Sequence, residues 1–451
     1  METWTLREVW REDYVATTDT HAQQLSTEKS FAIRPSGKLG GHKVHYFSAL
    51  GQIVQGCLNN PVHMYALLTM TACGMRNSAG ITTDPQNSPE YFMAKALPHL
   101  RSEVSRISNG GGLIDKQILL DIFYLFAHEW WQERYDIALT HLKIVQTLSN
   151  QLDPTLPLDR YIIEGTCFDD VMICLESGTR PMRPLDWSPP DLTFPEQVEV
   201  KTKLEELRLS GLFRKPGEEN YTPRRTLAIF LVPLKPNTKT APIVVLSPHM
   251  GAGLLRAAQG VANSPMLQLM RDILFLIDVM QYTWISTSLQ SKYAQWATMK
   301  VHAVLHVLLS MHLMGEWECV RLAMVMILGA MSSNRSWRSG EMNARRIQAL
   351  LAGKMNHLTV KQTWTASLEA TGDILVGFAD QKMLLWVLVV GAATTARNAS
   401  HEWFVEQASS TARDLQLGTA DELQNVLVEY LYLLRSQQTV VQELAAMLRQ
   451  E

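Results

Sequence analysis

Apolar residues recur at three- and four-residue steps along most of this 451-residue chain. The stripe that runs from Phe47 to Leu58 is typical, and comparable stripes continue almost to the C-terminus. This spacing places apolar side chains on one face of an α-helix, whereas the strict alternation typical of strands is nearly absent. The sequence therefore predicts an all-α protein.

Stop and start signals separate the predicted helices. Asn60–Pro61 ends the first helix, and Asn109–Gly112 ends a helix predicted over Pro89–Ile107. Asp115 is suited to cap the next helix through its side-chain oxygen, and a break near 132–133 precedes a helix predicted over Tyr135–Leu148. Antiparallel helix pairs are therefore expected, without a repeat of fixed period.

Proline marks the middle of the chain, because eleven of the nineteen prolines lie between Arg180 and His249. Proline removes a backbone donor and clashes with the preceding turn, so this density predicts a connector without long helices. Two β-branched runs inside it, Thr226–Val232 and Ile243–Leu246, leave one small β-hairpin as an alternative there.

The predicted organisation is therefore two helical halves joined by a proline-rich connector. The four segments are an irregular N-terminal segment (1–40), an N-terminal helical half (41–178), the connector (179–250) and a C-terminal helical half (251–451). Hydrophobic residues make up 46% of the chain and charged residues 19%, which is typical of a folded protein. The net charge of -3 provides no chain-wide field for nucleic acid or a membrane surface.

Five scattered cysteines, an odd number, are interpreted as reduced thiols and not as a disulfide framework. The first 24 residues lack the apolar core of a signal peptide, so a secreted protein is not expected. The most apolar runs, Leu322–Met331 and Met383–Ala393, are shorter than the ~18 to 20 residues that cross a bilayer. They are predicted to be buried helices, and no membrane partner is expected.

One pair of histidines has the spacing of a metal site. His302 and His306 lie four residues apart, so a helix would place both rings on one face. Ala303 stands where a metalloprotease helix has its glutamate, and a third ligand would have to come from His312 or Glu316. The favoured interpretation is two packing or surface histidines, with no metal.

Two other motifs are incomplete. Gly251 and Gly253 resemble the start of a phosphate-binding turn, but Arg256 replaces the third glycine of the dinucleotide pattern. Ser247 and His249 are neighbours without a Gly-x-Ser-x-Gly elbow. The sequence therefore predicts no catalytic residue and no cofactor.

A local basic excess and one aromatic cluster remain. Residues 333–361 carry six basic side chains against Glu341, and a solvated helix face is favoured over a phosphate-binding patch. The basic residues are Arg335, Arg338, Arg345, Arg346, Lys354 and Lys361. The cluster from His128 to Trp131 is interpreted as a helix end packed in the core, with a ligand site as the alternative.

Several segments together resemble the regulatory, or middle homology, region of fungal-specific transcription factors. They are Tyr46–Phe47 with Asn60–Pro61 and Ala66–Ala72, then Leu119–Phe126, Glu129, Ala138 and His141–Leu142, then Arg180–Pro184 and Trp187, then Leu385–Trp386, Val390–Gly391, Trp403–Val405, Leu415, Leu417, Val426–Leu427 and Tyr430–Leu431. The resemblance covers some 390 residues and implies an all-helical domain for dimerisation and effector response.

The chain departs from the family at three places. Lys143 and Ile144 replace the small residues expected after His141–Leu142, and Ser188 follows Trp187 in place of an Asp-Pro-Gly turn. The family's binuclear zinc cluster needs six cysteines, but no cysteine precedes Cys57. Binding to DNA is therefore expected only through a zinc-cluster partner, or through exons absent from the gene model.

The leading hypothesis is a nuclear transcription regulator that has only the helical regulatory domain. It would control a metabolic gene set, such as one for secondary metabolism, as a homodimer or with a protein partner, and in response to a small-molecule effector. One alternative is a regulatory fold recruited as a small-molecule-binding protein or biosynthetic enzyme, and another is a scaffold without activity. Candidate lining residues for the recruited pocket are Trp130, Trp131, Trp284, Trp296 and Trp386.

Overall fold

The computed structural model describes residues 40–108, 115–182, 188–209, 250–259, 265–285, 287–311, 313–332, 336–352, 378–395 and 399–450. Within these ranges all regular structure is helical, with sixteen α-helices and no strand. The all-α prediction is therefore confirmed. The hairpin suggested between Thr226 and Leu246 lies outside the described residues.

Contacts divide the described residues into two compact units, the first of which ends at Ile173. Its helices are α1 (Gly40–Asn59), α2 (Pro61–Gly74), α3 (Pro89–Ser108), α4 (Lys116–Trp131), α5 (Tyr135–Leu148) and α6 (Pro157–Ser177), the last of which continues into the second unit. Short helical turns are a π-helix over Met75–Ala79 and 3-10 turns over Pro85–Asn87 and Ser149–Gln151.

Local signals fix the helix ends of the first unit. The Asn60 side chain accepts the backbone N–H of Val62, and so caps α2. Asp115 accepts the N–H of Gln117 at 2.9 Å and caps α4, as predicted. The predicted bounds of α5, Tyr135 and Leu148, are also confirmed.

Helix α4 forms the centre of the first unit. Every residue from Ile118 to Trp130 is buried, because α2, α3 and α5 all pack against this helix. A helix that is apolar on all sides is expected to be enclosed in this way. Three residues break the pattern, since Asp121, His128 and Glu129 are buried with the apolar side chains.

The second unit contains the remaining ten helices. They are α7 (Phe194–Leu209), α8 (Ala252–Gln259), α9 (Pro265–Ile285), α10 (Thr287–Ser310), α11 (Glu316–Ser332), α12 (Ser336–Leu351), α13 (Gln381–Thr394), α14 (Ala399–Asp414), α15 (Ala420–Tyr430) and α16 (Leu434–Gln450).

Helix α7 corrects one expectation about the connector. The prediction that proline density excludes a long helix there is wrong, because α7 spans 16 residues. Its one proline, Pro195, is the second residue, where the helix has no use for a backbone N–H. The remaining residues, 196–209, contain no proline and are free to continue the helix.

Two apolar helices form much of the second core. In α11 the residues from Cys319 to Leu328 are buried, and in α13 those from Leu385 to Ala392 are buried. Both apolar runs are thus buried helices, as predicted. Among the described residues, no helix combines the length and apolar character that a membrane crossing requires.

Candidate functional site

The buried polar side chains of α4 are the most unusual feature of the first unit. Asp121 and His128 lie seven residues apart, so both project from the same face of the helix, and Glu129 follows His128 directly. Burying polar groups costs free energy unless they are paired. The partners of these side chains therefore decide what α4 can do.

At one end of this face, Asp121 is paired with His63 of α2. Asp121 Oδ2 lies 2.5 Å from His63 Nδ1, and Asn60 Nδ2 lies 3.1 Å from His63 Nε2. The side-chain oxygen of Asn60, Oδ1, accepts the Val62 N–H at the start of α2. The side-chain nitrogen, Nδ2, is therefore the atom that donates to His63 Nε2. The proton is thereby assigned to Nδ1, which donates to Asp121.

Burial and pairing shift the pKa values of this pair. Burial raises the pKa of Asp121, and the hydrogen bond from His63 opposes this only in part. Burial lowers the pKa of His63, but the hydrogen bond to Asp121 and its charge outweigh burial, so the net shift is upward. Burial, reinforced by the charge of Asp121, also raises the pKa of the nearby Cys57 thiol to about 12.

The other end of the face is less completely paired. The His128 side chain is 0% exposed, yet neither ring nitrogen has a hydrogen-bond partner among the described residues. His128 Nδ1 lies 3.5 Å from Glu129 Oε1. Glu129 Oε2 lies 2.5 Å from Arg134 Nε, which makes an ion pair without an aligned hydrogen bond.

Several elements surround His128. Cys73 of α2 places its sulfur 4.0 Å from the His128 carbonyl oxygen, just before the π-helix Met75–Ala79. Burial lowers the pKa of His141 of α5. The charge of nearby Glu129 raises this pKa, and that of His128 lowers it. The four-residue group His128, Glu129, Arg134 and His141 is named the His128 cluster.

Arg76 and Glu90 form a second ion pair near this cluster. The two guanidinium nitrogens of Arg76 donate to the two carboxylate oxygens of Glu90 at 2.7 and 2.8 Å. These hydrogen bonds lower the pKa of Glu90 to about 2, with a further small contribution from His128. Both carboxylates near His128 are therefore balanced by an arginine.

The predicted histidine pair lies elsewhere, on α10. His302 and His306 are both buried, and His302 Nδ1 donates to the Thr298 carbonyl oxygen at 2.6 Å. Glu316, one suggested third ligand, accepts the Ala379 N–H, while His312 lies outside the described residues. In the described ranges, no three His, Cys, Asp or Glu side chains are grouped so as to hold a metal ion.

The suggested phosphate turn has a packing role. Gly251 has φ 78° and donates its N–H to the Val428 carbonyl oxygen. A Cβ atom at Gly253 would lie 2.9 Å from the Glu429 carbonyl oxygen, so glycine permits close approach of α8 and α15 there. Ser247 and His249 lie outside the described residues.

The basic segment is only partly described. Arg345 pairs with Glu341 at 2.5 Å, and Arg346 donates to the Gly178 carbonyl oxygen at 2.5 Å. Burial lowers the pKa of Arg346. Residues Arg335, Lys354 and Lys361, and the side chain of Arg338, lie outside what the structure describes.

The suggested pocket tryptophans are anchored in helix contacts. In the second unit, Trp296 donates to the Pro190 carbonyl oxygen at 2.7 Å, and Trp386 donates to that of Leu431 at 2.8 Å. In the first unit, Trp130 contacts Trp131, which is partly exposed. The side chain of Trp284 lies outside the described residues.

No protein-family model, curated protein or solved structure matches this chain. The sequence pointed to His128 and Glu129 but missed the pairing of His63 with Asp121. The available signal was a lone aspartate inside the apolar run from Leu119 to Phe126.

Proposed function

We propose that this chain is a nuclear transcription regulator of the fungal-specific type, which controls a metabolic gene set through its helical regulatory domain. DNA is reached through a DNA-binding protein partner. The observation that carries the proposal is the set of buried polar contacts of α4, which tie it to α2 and to the α4–α5 turn. The residues that carry the family resemblance, Asn60, Glu129 and His141, belong to these contacts or lie beside them.

Such contacts suit a domain that changes shape in response to a signal. Removing one partner of a buried pair costs ~3 to 5 kcal/mol, because the other polar group is left uncompensated. A change at α2 or at the α4–α5 turn therefore alters the stability of α4, on which α2, α3 and α5 are packed. A regulator needs this kind of coupling between a binding event and helix packing.

The same geometry gives His63 and Cys57 structural roles rather than catalytic ones. A histidine base would need a free ring nitrogen facing a substrate, but the Asn60 amide occupies Nε2 of His63, and Asp121 occupies Nδ1. The raised pKa of Cys57 keeps that thiol protonated, which makes it a poor nucleophile. These groups stabilise helix contacts.

An exposed apolar pair is available for a protein partner. Phe194 is 76% exposed and Val198 is 43% exposed, and the two lie one turn apart on α7. A large contiguous apolar patch is typical of an interaction surface, and we propose that this pair contributes to one. Their substitution by Ser is expected to weaken association with a partner while leaving the helix content unchanged.

The deciding experiment is a deletion strain analysed for both transcripts and metabolites, and complemented with the wild-type gene. We expect transcripts of a gene set to change, the complemented strain to recover, and a tagged chain to accumulate in the nucleus. Unchanged transcripts, together with accumulation of one intermediate that the purified protein converts, would show that the chain is a recruited enzyme.

A further inference from the structure

The ring of His401, in the first turn of α14, contacts two other helices of the second unit. His401 Nδ1 lies 2.9 Å from the Ala392 carbonyl oxygen of α13, and Nε2 lies 3.3 Å from Glu443 Oε2 of α16. The His401 side chain is buried, whereas the Glu443 side chain is partly exposed. One imidazole ring therefore connects α13, α14 and α16.

The two contacts of this ring require two ring protons. A carbonyl oxygen and a glutamate carboxylate only accept hydrogen bonds, so Nδ1 and Nε2 must both donate. Neutral imidazole has one N–H and satisfies one of the two acceptors, whereas imidazolium has two and satisfies both. The arrangement at His401 is therefore that of the protonated ring.

We propose that His401 and Glu443 form a proton-dependent latch, which holds α16 against α13 and α14 while the ring is charged. The Ala392 carbonyl oxygen retains the Nδ1 proton, because it can only accept. Deprotonation therefore removes the Nε2 proton and places a ring lone pair against a carboxylate oxygen. The contact with Glu443 is then lost, and the contact with Ala392 stays. The latch does not depend on the proposed role in transcription.

The charges nearest to the ring compensate a cation at this buried position. Ala392 lies in the last turn of α13, where the helix dipole favours a cation, and Glu443 adds a full negative charge. His401 itself lies in the first turn of α14, where a cation is disfavoured. Glu402 in the same turn offsets that effect.

Other charges on the packed helices have their own partners. Helix α13 has no titratable side chain over 383–394. The described charges of α12, which also packs on α14, are the Glu341–Arg345 ion pair at 2.5 Å and Arg346, which donates to a backbone carbonyl oxygen. Arg449 of α16 also donates to a backbone carbonyl oxygen. The protonation of the contact therefore depends on His401 and Glu443.

Apolar packing keeps α16 attached when the latch is open. Val440, Val441, Leu444 and Ala445 are buried, and α16 packs on α13, α14 and α15. Glu443 directly precedes Leu444, so the latch acts on the same part of the helix. Loss of the ring proton should therefore make local opening of α16 more frequent without unfolding the unit.

Glu443→Gln isolates the effect of the proton. The glutamine amide can donate to a neutral Nε2, and its oxygen can accept from a protonated Nε2, so the contact no longer requires the charged ring. Hydrogen exchange of α16 amides in the full chain, followed by mass spectrometry, compares this variant with the wild type at the same pH. The intrinsic pH dependence of exchange then cancels.

The comparison is made at pH 5.5 and 8.5, which bracket the ~6.5 at which an unperturbed histidine titrates. We expect similar α16 exchange rates in the two proteins at pH 5.5. At pH 8.5 the wild type should exchange about tenfold faster than Glu443→Gln, the value of one hydrogen bond. Glu406→Gln is the matched control, since Glu406 is exposed on α14, and it should match the wild type at both pH values.

Nitrogen NMR of labelled histidine rings reports the proton directly. His401 should carry a proton on both ring nitrogens at pH 5.5 and on Nδ1 alone at pH 8.5, and its signals are those absent from His401→Gln. A neutral His401 ring at pH 5.5 would overturn the inference. A wild-type to Glu443→Gln exchange ratio that is the same at both pH values would also overturn it. If Glu443→Gln does not fold by circular dichroism, the ring titration decides.

Discussion

The carboxylate of Asp121 in α4 accepts a hydrogen bond from the ring of His63 in α2 at 2.5 Å, and both side chains are buried. The two residues are 58 positions apart, so the contact fixes α2 against α4 directly. Asn60 connects this contact to the cap of α2 through the second ring nitrogen. A helix cap, a histidine tautomer and a buried carboxylate thus form one chain of hydrogen bonds.

Asp121→Ala should destabilise the protein by ~3 kcal/mol, because the His63 N–H would be left buried without an acceptor. Asp121→Asn should cost less, since the amide oxygen can still accept from Nδ1. Urea unfolding at pH 7 measures both. Asp115→Ala is the control, and the loss of that exposed helix cap should cost ~1 kcal/mol. Equal losses for Asp121→Ala and Asp115→Ala would refute the proposed role of the pair.

Local features of the fold could be predicted from the sequence. The cap at Asp115 and the bounds of α5 depend on a few neighbouring residues, and both were predicted correctly. Helix α7 was missed because proline was counted over a window, whereas the effect of Pro195 depends on its position in the helix.

Contacts between distant residues could not be predicted in the same way. Asp121 is visible in the sequence as a polar residue in an apolar run, but its partner follows from how α2 packs on α4. Arg321 of α11 is another case, since this fully buried guanidinium donates to the carbonyl oxygen of Leu308 in α10. No local pattern reveals such partners.

Acid should destabilise the protein through His302. Burial lowers the pKa of this ring to about 4, whereas an unfolded histidine titrates near ~6.5. Between these values the unfolded chain binds more protons, so stability is complete above pH ~6.5 and falls as pH decreases to about 4, by ~3 kcal/mol in total.

Replacement of His302 tests this pH dependence. His302→Gln should show a shallower loss of unfolding free energy than the wild type in urea titrations at pH 7, 5.5 and 4.5. The exposed His99→Gln should follow the wild-type curve. Parallel curves for His302→Gln and the wild type would contradict the assignment.

Two glycine substitutions should change stability in opposite directions. A Cβ atom at Gly391 of α13 would lie 2.4 Å from the Phe404 ring of α14, so Gly391→Ala should force these helices apart. Overpacking of this kind costs ~1 to 3 kcal/mol. At Gly51 of α1 a Cβ atom would contact nothing within 4 Å, so Gly51→Ala should stabilise the helix by ~0.5 to 1 kcal/mol. Thermal unfolding measures the change in stability of each variant. A stabilising effect of Gly391→Ala would contradict the close α13–α14 packing.

Thiol reactivity should separate the cysteines by burial. Burial raises the pKa of Cys57 and Cys319 to about 12 and that of Cys73 to about 11, so these sulfurs remain protonated at neutral pH. Since the thiolate is the reactive form, iodoacetamide should modify them slowly in the folded protein. Cys167 is partly exposed and should be alkylated before the other three. Mass spectrometry of time-resolved digests at pH 7.5 resolves the order, and urea should make all the rates similar. Rapid modification of Cys57 in the folded chain would show that α1 opens from the core, because burial beside Asp121 keeps the thiolate fraction of this sulfur very small.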